Sequence, residues 1–270
     1  MKRTAAIMAF LATMTIGVPA QSIEIATHRA IYRLSMLPSN IVEGGIADVQ
    51  GGMTFEWADS CDGWTVEQRY VMNFLRTNGT ELKTDTSYVT WESKDGLEYR
   101  FSVKRVTDGV EGERIGGRAK LEKKGGAGMA KFDQPKRDNI ALSAGTVFPT
   151  EHTFLIIEAA NAGKQFDRHL VFDGSSVEAA APVTTFFLGR RPAPEDSILT
   201  APLGPNSVQA MNLSFYEAEG AQSAGDSLPT FEMTLNLQDN GIVTDMILRF
   251  DGFRVAATLE RIEKLPPPEC

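Results

Sequence analysis

The residues that could carry chemistry in this chain are few or scattered: its 270 residues include three histidines and two cysteines. His28 opens a strand-like segment four residues before Tyr32. Positions four apart in a strand share a face, so a buried His28–Tyr32 hydrogen bond is expected ahead of a catalytic pair. His152 falls in the first turn of a predicted helix, where a structural hydrogen bond or exposure is expected. His169 follows Arg168 in a short strand. No His or Cys pair has zinc-ligand spacing, and no Gly-x-Ser-x-Gly elbow presents a serine. Ser143-Ala144-Gly145 has no base near it in sequence. Gly116-Gly117 and Gly125-Gly126-Ala127-Gly128 lack the strand-to-helix setting of a phosphate loop and are expected to mark bulges or sheet curvature. Asp59-Ser60-Cys61-Asp62 and Asp239-Asn240-Gly241 are turn formers, not calcium loops. The expectation is therefore no catalytic residue, no cofactor and no metal: not an enzyme.

The cysteines and the chain ends say more. Met-Lys-Arg, an uncharged apolar run from Ala5 to about Val18, and Val18-Pro19-Ala20 form the three parts of a secretory signal peptide, residues 1–20. The run is shorter than the roughly 20 residues of a membrane span. No later segment is longer or more apolar, so no integral membrane protein is expected. Residues 21–270 would then fold in an oxidising compartment, where an even cysteine count predicts one bridge, Cys61–Cys270. The tail from Glu263 to Cys270 contains three consecutive prolines, which cannot continue a strand ladder. A bridge to Cys61 would fasten it. Without Lys2 and Arg3 the chain carries 25 basic and 35 acidic residues. That balance argues against nucleic acid and against docking on anionic lipid. Arg118, Lys120, Lys123 and Lys124 alternate with apolar and acidic residues, as on a solvated strand face.

The elements that must position these residues are mostly strands. Tyr70, Met72 and Phe74 alternate with Arg69 and Asn73; Tyr99, Phe101 and Val103 alternate with Arg100, Ser102 and Lys104. Phe231, Met233, Leu235 and Leu237 do the same, and Ile242, Met246, Leu248 and Phe250 share one face. A period of two with one wet face predicts an antiparallel sheet. Asp239-Asn240-Gly241 predicts a type I′ hairpin turn, and Asn78-Gly79, Asp95-Gly96, Asp108-Gly109, Asp173-Gly174 and Asp251-Gly252 repeat the pattern. One helix is predicted from Thr150, as N-cap, to Ala162, ended by Gly163. It is apolar nearly all round, hence buried on more than one side. Stretches 133–149, 189–205 and 217–229 read as loops. The fold class is mainly β: a single large, strongly coiled antiparallel spiral or barrel in residues 21–270, with one prominent helix. Its inward apolar residues would either fill a core or line a cavity for an acyl chain, since both need the same alternation.

Several short motifs together resemble one family. They are His28-Arg29-Ala30-x-Tyr32, Cys61-Asp62-Gly63-Trp64 with Gln68-Arg69, Gly145-Thr146-x-Phe148-Pro149-Thr150-x-His152, Phe172-Asp173-Gly174 and Cys270. In this order they resemble the EipB family of alphaproteobacterial periplasmic cell-envelope integrity proteins, formerly a domain of unknown function. The resemblance implies a β-spiral barrel, a bridge between the two matching cysteines, a periplasmic location and a tetratricopeptide-repeat protein as partner. It brings no enzymatic activity. The function expected is support of envelope integrity through protein interactions. The alternative is a carrier or sensor that holds a lipid or lipoprotein acyl chain in the β cavity.

Overall fold

The computed structural model describes residues 23–38, 45–192, 207–218 and 228–270. The expected signal peptide, most of the 217–229 loop and residues 193–205 of the 189–205 loop lie outside them. In chain order the strands are β1 (His28–Met36), β2 (Ile46–Asp59), β3 (Gly63–Arg76), β4 (Glu81–Ser93), β5 (Glu98–Thr107), β6 (Val110–Leu121), β7 (Gly128–Gln134), β8 (Ile140–Leu142) and β9 (Thr146–Val147). Helix α1 (Pro149–Asn161) follows. Then come β10 (Phe166–Val171), β11 (Ala181–Pro192), β12 (Ser207–Phe215), β13 (Phe231–Gln238), β14 (Val243–Phe250) and β15 (Phe253–Lys264).

All fifteen strands belong to one sheet, in the order β8 through β1, then β15 back through β9. Neighbours in the sheet are neighbours along the chain, except where β1 pairs antiparallel with β15 and so joins the two runs. Among the described strands only β9 and β10 pair in parallel, and α1 is the crossover that their parallel sense requires. The sheet curls into a nearly closed barrel with α1 inside the curl. Ile156 and Ile157 of α1 pack into a core shared with Tyr32, Met53, Trp57 and Met211. A second core gathers Tyr99, Phe101, Phe132, Phe148 and Phe172. Tyr99 and Phe148 stack there, 4.9 Å between ring centroids. Each such ring removed from water contributes about 1.5–3 kcal/mol.

Local details correct several expectations. Two of the predicted loops contain strand: β8 and β9 lie within 133–149, and β11 runs past Gly189 to Pro192. β8 and β9 have three and two residues, too few for a period to show. Thr150 is not the N-cap. Phe148 holds that position without a side-chain cap and Pro149 opens the helix, because proline suits the first turn, where its missing N–H costs nothing. The helix ends as expected, with Gly163 in the left-handed region at φ 72°. The Asp239-Asn240-Gly241 turn is not type I′: only Gly241 has positive φ, and its N–H bonds back to the carbonyl of Gln238. That is a three-residue hairpin loop with glycine in the left-handed position. Asp108-Gly109 is the true I′ pair, with φ 50° and 80° between paired Thr107 and Val110. Gly116-Gly117 does mark a bulge: the β6–β7 register shifts between them. A Cβ on Gly117 would lie 2.3 Å from the Lys131 carbonyl oxygen.

Cys61 and Cys270 are joined by a disulfide across 209 residues. Cys61 sits in the turn between β2 and β3, with Asp59 accepting its N–H at 2.8 Å. β15 extends through Lys264, so the strand-free tail begins at Leu265, two residues later than expected. Its N–H bonds to the Thr27 carbonyl at 3.0 Å. The tail is thus held at both ends, by one backbone bond and one covalent bridge. Among the described residues no helix is long and apolar enough to cross a membrane.

Candidate functional site

The inward faces of the strands do not fill the curl. A cavity of about 630 Å³ remains, walled by strands from both runs and closed on one side by α1. Met53, Phe55, Leu213, Leu235 and Met246 are among its apolar wall residues, as period-two alternation places them, and Ile156 joins them from α1. Among the described residues the lining contains no Lys or Arg, and its carboxylates are Asp173 and Glu178.

The polar groups in this wall are mostly bonded to one another. Tyr32 donates to the Val243 carbonyl at 2.7 Å, and Tyr70 to Oε1 of Gln68 at 2.7 Å. Tyr88 and Tyr99 both reach the Asp173 carbonyl, and their hydroxyls are 2.7 Å apart. Burial holds these phenols protonated; that of Tyr70 is pushed up to about 12. Among the described residues, two buried wall atoms have no partner: the indole Nε1 of Trp57 and Nε2 of His152. His152 is 6% exposed. Desolvation first, then neighbouring His169, lowers its imidazole to about 3, so the ring is neutral at ordinary pH.

His152 and His169 come together, with ring centroids 5.5 Å apart. β10 turns Asp167 and His169 to the same face, and His169 Nε2 lies 3.0 Å from Asp167 Oδ2. A carboxylate-oriented imidazole is half of a hydrolase apparatus. The hydrogen bonds of the described residues join neither ring to a hydroxyl or a thiol. His28 lies elsewhere and is fully buried, its Nδ1 2.6 Å from the Ala26 carbonyl. The expected His28–Tyr32 bond is absent. The two share a face, but His28 bonds to the backbone just before its own strand and Tyr32 to Val243. Among the described residues no group of three His, Cys, Asp or Glu could hold a metal ion.

The sequence pattern does not mark Glu92, on β4, which is 2% exposed. Its Oε2 accepts the N–H of Thr150 at 2.7 Å and its Oε1 that of Glu151 at 2.8 Å. It thereby supplies the cap that Phe148 lacks, from 58 residues away, and fixes α1 against the cavity wall. Burial pushes its carboxyl up to about 7, against the pull of these two N–H groups.

A comparison with curated proteins found the cell envelope integrity protein EipB of Brucella abortus, 28% identical over 247 residues. The match covers 90% of this chain and 86% of that protein. Among solved structures, a β-barrel-like protein of a domain of unknown function from Brucella abortus superposes with a TM-score of 0.81 at 25% identity. That match covers 91% of this chain and all of the other. The EipB-like family model matches residues 19–266, and the chain belongs to that family.

Proposed function

We propose that this chain is a non-enzymatic periplasmic protein of cell-envelope integrity that works by enclosing an acyl chain of a lipid or lipoprotein in its curled sheet. The observation that carries this reading is the cavity. Its volume of about 630 Å³ falls in the usual ligand range of about 300–1,000 Å³. A wall of Met, Phe, Leu and Ile without a cation suits an uncharged hydrocarbon. Cavities of this size, when they serve only as packing defects, are costly to leave in a core. The envelope role follows the name of the Brucella relative, and the Cys61–Cys270 bridge suits the oxidising compartment expected from the N-terminal run.

Protein from its own periplasm, analysed by native mass spectrometry and lipid extraction, tests the reading. A bound acyl species is expected, lost when Ala181, which lines the cavity, is changed to Trp. Repeated recovery of empty protein would overturn it. A second reading, action through protein contact, is favoured by Phe166 and Phe186. These are paired across β10 and β11 with rings 5.0 Å apart and nearly half exposed, with exposed Leu188 beyond them. A tetratricopeptide-repeat protein is the partner that the family resemblance suggests for this stripe. Substituting Phe166 and Phe186 by Ser would then abolish its capture without emptying the cavity.

A further inference from the structure

Arg100 of β5, Arg118 of β6 and Lys131 of β7 face one another directly, Arg100 opposite Arg118 and Arg118 opposite Lys131. All three are exposed. Like charges directly opposite in a sheet are destabilising, and no carboxylate among the described residues neutralises these. Among the described residues none of the three forms an ion pair. Neighbouring Lys120 is joined to Glu98 at 2.6 Å, and Lys104 and Arg114 share Glu111. The Arg100 guanidinium does have a support: it lies 4.5 Å over the ring of Trp91, the residue opposite it on β4. Stacking fixes its plane while leaving its N–H groups free to bind. The three cations also border a groove on the outer face of the sheet, with exposed Met129 in its floor.

We propose that this row is a binding site for clustered phosphate groups. Adjacent strands lie about 4.8 Å apart, so three cations in register span about 10 Å. That is more than a single phosphate needs and fits two or more side by side. Guanidinium forks match phosphate oxygens bidentately. Besides the row and Lys120, the charged residues near the groove are the acidic Glu98, Glu122 and Asp133. Glu98 is occupied by Lys120; Glu122 lies just past the end of β6, four residues after Arg118, and Asp133 lies on β7 two residues after Lys131. The chain's formal charge of −8 offers no long-range attraction to an anion. Recognition therefore has to be local and is weakened by salt over the Debye length of about 8 Å.

The test compares the folded full-length protein with the triple variant Arg100→Gln, Arg118→Gln, Lys131→Gln and with Lys264→Gln as a control outside the row. Each is mixed with vesicles of phosphatidylcholine containing phosphatidylglycerol, with vesicles of phosphatidylcholine alone, and with soluble tripolyphosphate followed by calorimetry. Thermal melts verify that the surface changes leave the fold intact. The expected result is binding to the anionic vesicles that falls about 5-fold for each cation removed and about 100-fold for all three, with Lys264→Gln unchanged. Binding of tripolyphosphate alone, lost in the triple variant, supports the same site with soluble phosphates as its source. Binding to neither probe, or binding that the triple variant keeps, overturns the proposal. None of these outcomes depends on whether the interior cavity holds an acyl chain.

Discussion

Glu92→Gln isolates the one carboxyl that is both buried and set against a helix end. In the unfolded chain this group has its ordinary value of 4.5, whereas burial holds it at about 7 in the folded protein. Between those values the folded protein keeps a proton that the unfolded chain has released. The stabilisation linked to that proton is complete below pH 4.5 and is lost as pH rises through 7. At about 1.4 kcal/mol for each pH unit, the loss amounts to about 3 kcal/mol. Glutamine cannot ionise, so the variant lacks this slope. It has one oxygen where the carboxyl has two, so one of the Thr150 and Glu151 N–H groups loses its acceptor, at about 1–3 kcal/mol. Wild type should therefore lead by roughly that amount near pH 4.5, with the lead gone or reversed near pH 8. Urea unfolding of both proteins across this range, with the disulfide intact, gives the difference directly, and every other titrating group cancels. A difference independent of pH would refute the reasoning. A wild-type lead that grows with pH would refute it more pointedly, because the helix end would then outweigh burial and hold the carboxylate ionised.

Three other outcomes follow from described geometry. The chain-entropy model assigns a bridge closing 209 residues about 5 kcal/mol, so Cys61→Ser, Cys270→Ser or reductant should lower the thermal midpoint; an unchanged midpoint would contradict this. His152 is depressed from 6.5 to about 3 by burial, so its contribution is present above pH 6.5 and is lost as pH falls toward 3. His152→Phe should flatten that acid limb in urea midpoints, and equal slopes in the two proteins would count against it. Gly174 has φ 68°, and a Cβ there would lie 2.4 Å from the Phe101 ring. Gly174→Ala should therefore cost about 3 kcal/mol; a loss near zero in chemical denaturation would mean that the ring yields.

How much of this was legible depended on how local each feature is. Alternation along one strand is local, and Tyr99, Phe101 and Val103 are buried together as their spacing required. The bridge was legible because only two cysteines exist to be paired. Glu92 was not: between Trp91 and Ser93 it has the look of an outward polar position, and only the packing of α1 against β4 gives it its two N–H partners. The cavity was not legible either, because whether opposing walls meet depends on how tightly the sheet curls. The basic row was hidden for a third reason. Arg100, Arg118 and Lys131 are separated by turns, and sheet register alone brings them together. The chain's net charge of −8 points away from it.

The β1–β15 ladder has a temporal side. As the chain is synthesised, β1 emerges first and its natural neighbour on that side last. The open flank of β1 must wait while the rest of the sheet is made, a window in which it could recruit the wrong strand. β1 carries two of the safeguards known from permanent sheet edges: a register irregularity at Ile31–Tyr32 and outward-pointing Arg29 and Arg33, which in the finished barrel bind Glu56 and Glu260. In the mature fold these are ordinary surface pairs; in the nascent chain the same residues act as a guard on an edge that is not yet covered.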